Sequence, residues 1–174
     1  MPSGGTTVAL ALLLFTNSAM AQSRRPAPVF QPALEAIQPQ TRIPILLPSK
    51  LPFAISKRDI KLASGEVRED GYFISLYSSK GAGDETFAAG FGGSTRILDP
   101  HDLPNTRHVP LSGGRAGMFR AVSCGGSCAP ANLWWEQNGV MYQIQGKLGP
   151  GVPEKSQQSI LVEMANSSVA ARRK

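Results

Sequence analysis

Residues 132–145 constrain the fold of this chain more than any other segment. They read Asn-Leu-Trp-Trp-Glu-Gln, then Asn138-Gly139, then Val-Met-Tyr-Gln-Ile-Gln. An Asn-Gly pair between two such runs is the two-residue loop of a type I′ hairpin, because both loop residues tolerate positive φ. Closing the ladder on that turn pairs Gln137 with Val140, Trp135 with Tyr142, and Leu133 with Ile144. Side chains alternate across a strand, so Leu133, Trp135, Val140, Tyr142 and Ile144 share one apolar face suited to a core. The opposite face carries Asn132, Trp134, Glu136, Met141, Gln143 and Gln145. Trp134 is the odd member, a large aromatic that this register directs toward solvent on a mostly polar face. It either anchors a partner, glycan or peptide, or packs under a loop.

Other elements follow from period and punctuation. Residues 43–48 form an apolar run bracketed by Pro44 and Pro48, which favours an edge strand, and residues 51–55 repeat the pattern. After Asp70-Gly71, Tyr72, Ile74 and Leu76 fall on one strand face, with Phe73, Ser75 and Tyr77 on the other. Residues 86–92 read as a further strand weakened by Gly90, Gly92 and Gly93. Residues 94–107 form a polar connection, and 107–111 and 115–122 are extended. From about residue 153 to 170 the period changes, and Ile160, Leu161, Met164, Ala165 and Val169 form one helical stripe. Pro153 and Glu154 suit its first turn. The predicted class is α+β: an antiparallel sheet of about five to six strands packed against a C-terminal helix, in a single domain over residues 43–170.

Residues 8–15 are a short apolar core, followed by Thr16-Asn17-Ser18 and then Ala19-Met20-Ala21. This is the A-x-A pattern of a secretory signal peptide, predicted to be cleaved after Ala21. The apolar run is about half of the ~20 residues that a membrane-crossing helix needs, so no transmembrane anchor is expected after cleavage. The expected location is periplasmic or secreted. Residues 22–42 hold Pro26, Pro28, Pro32 and Pro39, which predicts an extended, disordered arm with at most a helical turn or two near residues 33–37.

The net charge of +6 invites a nucleic-acid reading, so its position matters. Arg24, Arg25, Arg172, Arg173 and Lys174 place five cations at the two ends, the last three in a basic tail over 171–174. Between residues 26 and 171, thirteen Lys and Arg face twelve Asp and Glu. The excess belongs to the tails, and no specific nucleic-acid partner is expected.

The two cysteines, Cys124 and Cys128, flank Gly125-Gly126-Ser127. In an exported chain two neighbouring cysteines default to a disulfide, and this small ring is worth about 2 kcal/mol. The alternatives are a redox pair or a metal site. A redox pair usually has Cys-x-x-Cys opening a helix, and here the spacing is one residue longer and Ala129-Pro130 follows. Two thiolates without nearby histidines would leave a metal under-coordinated.

The hairpin, followed by Leu161-Val162-Glu163-Met164-Ala165-Asn166-Ser167, resembles uncharacterised bacterial exported proteins. Those domains of unknown function end in a W-x-x-(N/D)-G-x-x-Y-x-(I/L) hairpin and an L-x-x-(M/I)-A-x-S helix. The resemblance covers residues 124–170, and residues 43–53 and 72–76 more loosely. It implies a small α+β domain with an antiparallel sheet and carries no activity with it. Such relatives often have a second cysteine pair in mid-domain, where this chain has none near residues 86–93.

Candidate chemistry is sparse. His101 and His108 are the two histidines, and Asp99-Pro100-His101-Asp102 sets carboxylates beside one of them. A metal or acid–base site would use these groups, against the commoner reading of a polar loop at an Asp-Pro turn. No G-x-S-x-G elbow occurs. The segments Gly81-Ala82-Gly83 and Gly90-Phe91-Gly92-Gly93 lack the Lys-Ser/Thr of a phosphate loop. No catalytic, cofactor-binding or metal-binding residue is therefore assigned, and no cofactor is expected. The leading expectation is a non-catalytic envelope or binding protein using Trp134 toward an envelope partner or ligand. The alternative is a small hydrolase or metal-dependent enzyme using Asp99, His101, Asp102 or His108. Thiol redox work at Cys124 and Cys128 stands third.

Overall fold

The computed structural model of the chain describes residues 25–78, 85–99, 103–149 and 151–171. Residues 1–24, which include the expected signal segment and Arg24, and residues 172–174 of the expected basic tail lie outside them. In chain order the first elements are α1 (Gln31–Ile37), β1 (Leu46–Pro48), α2 (Phe53–Ser56), β2 (Leu62–Arg68), β3 (Gly71–Tyr77) and β4 (Phe87–Ser94). Then come β5 (Arg107–Pro110), β6 (Ala116–Arg120), β7 (Ser123–Cys124), β8 (Cys128–Ala129), β9 (Ala131–Gln137) and β10 (Val140–Gly146). The last two are α3 (Glu154–Ser167) and β11 (Ser168–Ala170).

The C-terminal hairpin forms in the register that its turn dictates. Asn138 and Gly139 take φ of 54° and 72°, and Trp135 pairs with Tyr142 and Leu133 with Ile144. The Trp135 and Tyr142 rings stack at 5.6 Å between centroids. β10 is the hinge of a seven-stranded antiparallel sheet in the order β2-β3-β4-β10-β9-β6-β5. A three-stranded meander, β2 to β4, thus joins a second meander, β5-β6-β9-β10, through the β4–β10 ladder. The class is α+β, with more strands than the five to six expected. The additional strand is β2, whose Leu-Ala-Ser-Gly-Glu-Val-Arg carries too little apolar alternation to announce itself.

β4 sits near the middle of the sheet despite its glycines, because neighbouring rings occupy the space their side chains would take. A Cβ on Gly90 would stand 2.4 Å from Phe73 Cζ, and one on Gly93 would stand 2.6 Å from Tyr72 Cε1. β3 therefore lays aromatic rings over β4 on both faces of the sheet, and the glycines are what admit them.

One face of the sheet carries the main core, including Tyr72, Ile74, Leu76, Phe91, Leu133, Trp135, Tyr142 and Ile144. Two helical segments cover it. α3 presses Leu161, Met164 and Ala165 onto β9 and β10. It is shorter than its stripe suggested: it stops at Ser167, and Val169 belongs to β11, which pairs with β1. The second cover corrects the expectation for residues 22–42. Residues 28–30 form a 3-10 turn that runs into α1, and Ala27, Phe30, Ala33, Leu34 and Ile37 are buried in the core. Phe30 meets Phe91 edge-on at 5.0 Å, and Ile37 packs against Gly65 of β2. Prolines suggested an extended arm, but Pro32 sits in the first turn of α1, where its missing N–H costs nothing. Packing of Phe30 and Ile37 on β4 and β2 buries them in the core and orders the segment. Residues 51–55, expected to be extended, instead enter the one-turn helix α2 after Pro52.

Two phenols tie this core to the chain around β1. Tyr72 Oη accepts the Leu46 N–H at 3.0 Å, and Tyr142 Oη donates to the Pro44 carbonyl at 3.0 Å. Burial pushes the Tyr142 hydroxyl up to about 12. It pushes Tyr72 higher still, with the Leu46 hydrogen bond opposing part of the rise. In the unfolded chain both phenols ionise near ~10. Stability from these groups is thus full below that value and lost as pH climbs through about 12. Urea midpoints measured from pH 8 upward should hold steady and then fall above about pH 10. The fall should be smaller for Tyr142→Phe, which has no proton to lose.

Candidate functional site

The second face of the sheet is where a site can form. Across it one row of side chains runs Glu66, Phe73, Gly92, Gln143, Trp134, Met118 and His108, one from each strand in sheet order. The chain leaves β4 in the middle of the sheet and must reach β5 at its edge. The connection after residue 94 brings Leu98 and Leu103 against a small apolar cluster of Met118, Trp134 and Met141. Trp134 is only 4% exposed: of the two readings of this residue, a solvent-facing anchor and a ring packed under a loop, the structure has the second. The register placed the indole on the correct face, and the connection then covered it. Arg120 of β6 lies over the ring, its Cζ 5.2 Å from the centroid.

Between this cover and the β3–β4 hairpin strands lies a cleft of about 210 Å³. Phe73, Trp134 and Met141 give it apolar surface, the Phe73 ring lies over Gly92, and Arg68, Arg96, Asp70 and Gln143 supply polar groups. Arg68 is paired with Glu66. Asp70 Oδ2 accepts a 3.4 Å hydrogen bond from Ser94 Oγ, and its carbonyl accepts from Thr95 N–H at 2.8 Å. Arg96 makes no ion pair among the described residues. Buried Asn132 orients the amide of Gln143: its Oδ1 accepts from Gln143 Nε2 at 2.8 Å, while its own Nδ2 donates to the Pro130 carbonyl. The acceptor oxygen of Gln143 takes no hydrogen bond among the described residues. The arrangement can hold a small ring-bearing molecule and pair with an acidic group on it. Two guanidinium groups on a hairpin and its return gave no pattern at the sequence level, since Arg68 and Arg96 are separated by two strands.

The remaining candidates separate. Cys124 and Cys128 form a disulfide across the short β7–β8 ribbon, and both are exposed. His108 is exposed on the edge strand β5, and Asp99 is exposed in the connection. His101 and Asp102 lie outside the described residues. Among the described residues no group of three or more His, Cys, Asp or Glu is placed to hold a metal ion, and no helix is long and apolar enough to cross a membrane. No protein-family model, curated protein or solved structure matches the chain.

Two outcomes follow. Trp134→Ala should lower unfolding stability by about 3 kcal/mol, as other buried Trp truncations do, read from urea denaturation; wild-type stability would mean the indole contributes nothing to packing. Replacing Cys124 and Cys128 together by Ser should cost about 2 kcal/mol or less. Near-UV circular dichroism should stay native, because the ribbon buries none of its residues.

Proposed function

We propose that the protein is an exported, non-catalytic binding module, and that its ligand enters the cleft lined by Phe73, Trp134, Arg68 and Arg96. The cleft itself carries this reading: aromatic surface, a guanidinium with no ion pair among the described residues and an oriented amide converge on one concavity. Its polar groups suit recognition: the one hydroxyl–carboxylate pair among the described lining residues, Ser94 and Asp70, is joined by a long 3.4 Å bond, and no described histidine lines the cleft to relay a proton. A disulfide among the described residues fits an oxidising compartment, as the A-x-A segment suggests. The ligand class that matches is a small molecule with one ring face and one carboxylate or phosphate, the anion forked by Arg96 and the ring set between Phe73 and Trp134.

Titrating uronic acids, phosphorylated monosaccharides and aromatic dipeptides against the Trp135→Phe variant isolates the emission of Trp134. At least one of these classes should shift that emission saturably, and Arg96→Ala should weaken it about tenfold or more, the worth of a charge-assisted pair. If a folded Trp135→Phe protein responds to none of them, the cleft is not the binding site for this chemistry.

A further inference from the structure

The near-balance of charge inside the folded part hides a local segregation. Residues 50–61 carry Lys50, Lys57, Arg58 and Lys61 against the single acid Asp59. Two hydrogen bonds fasten this stretch to one end of the sheet. Lys61 N–H donates to the Tyr77 carbonyl at 2.9 Å, and Arg58 Nη2 donates to the Lys147 carbonyl at 2.5 Å. Asp59 binds Lys61 at 2.6 Å, and Lys50 meets Glu163 of α3 at 3.4 Å. Both pairs are solvent-exposed and screened. Lys57 makes no ion pair among the described residues.

In the middle of these cations stands Phe53, at the start of α2. It is 78% exposed, the most exposed large hydrophobic side chain among the described residues. Lys57, one turn on, lies 5.7 Å from its ring centroid. The other exposed large hydrophobic, Ile97, follows β4 at the opposite end of the sheet. Phe53 thus has no apolar neighbour of its own kind with which to form the broad buried centre of a protein–protein interface. A single exposed ring with Lys57 against it, on a stretch of chain rich in cations, has a different complement. It is a surface that accepts one ring below a layer of phosphates, with the ammonium groups resting at the level of the charge.

We propose that the α2 corner, Phe53 with Lys50, Lys57, Arg58 and Lys61, is a docking surface for anionic phospholipid. The association is peripheral and reversible, and it holds the domain against a membrane face without a spanning segment. It is independent of the cleft, which opens beside Gly71 and Ser94 at the other end of the sheet.

The test places a reporter at the wedge. Vesicles of phosphatidylcholine alone are compared with vesicles in which phosphatidylglycerol replaces part of it, using the full chain bearing Phe53→Trp. Emission from that indole should move to the blue and be quenched by brominated acyl chains on the anionic vesicles only. Trp134 and Trp135 are buried and should not respond. Adding Lys57→Glu should weaken the response about tenfold, and raising salt should do likewise. Phe53→Ala in the otherwise unchanged chain should weaken vesicle sedimentation while leaving the urea midpoint unaltered, since the ring is exposed. An unshifted reporter on anionic vesicles overturns the proposal. So does a response equal on neutral vesicles and indifferent to Lys57→Glu, which would assign binding to another segment. Capture of an acidic protein at this corner without any vesicle response would replace lipid with protein as the partner.

Discussion

Everything in the molecule hangs on the ladder between β10 and β4. Each meander is a local structure whose strands are neighbours in sequence, and each buries only half of a usable face. The β4–β10 pairing runs from Met141 opposite Ser94 to Gly146 opposite Ala89, and it turns two small sheets into one seven-stranded sheet. Only then does a continuous apolar face exist for α1 and α3 to cover together. The Asn138–Gly139 turn acts through this ladder. By setting which side chains of β10 point to the core, it sets the facing of β4 and, through β4, of β3 and β2.

The second face is a by-product of the same topology. Because the two meanders meet in the middle, the chain must travel from a central strand to an edge, and the shortest way lies over the sheet. That passage seals Trp134 with Leu98 and Leu103 and leaves the neighbouring area beside Phe73 uncovered. The cleft therefore has rigid walls on one side and a connection on the other. Binding surfaces and covering loops commonly share this arrangement, a stiff sheet carrying a variable edge.

What could be read from the residues alone was whatever depended on local geometry. The hairpin register, the core face of β3, the Cys124–Cys128 bridge and the stripe of α3 were legible, because each follows from a turn type, a period or a spacing. What escaped depended on distant partners. Phe30 and Ile37 look like isolated apolar residues in a proline-rich stretch until Phe91 and Gly65 are set beside them. β2 is nearly silent, since α1 covers one of its faces and solvent takes the other. Trp134 was correctly oriented, and of its two readings the structure has the one in which it packs under a loop; residues 132–145 alone could not decide between them, because the cover, Leu98 and Leu103, comes from an earlier connection. The cleft was invisible for the same reason: Arg68 and Arg96 come from the first meander, and Trp134, Met141 and Gln143 from the second.

The small ribbon between β1 and β11 carries one more implication. It joins residues 46–48 to residues 168–170, almost the full span of the described chain. The first strand of the domain cannot find its partner until the last has been synthesised. The early meander, its face covered by α1, can form soon after its strands exist, whereas closure waits for the chain's end. Such late, long-range closure slows folding. A chain closed in this way stays open longer during synthesis than one whose strands pair as they appear, and residues 168–170 set the moment at which β1 is paired.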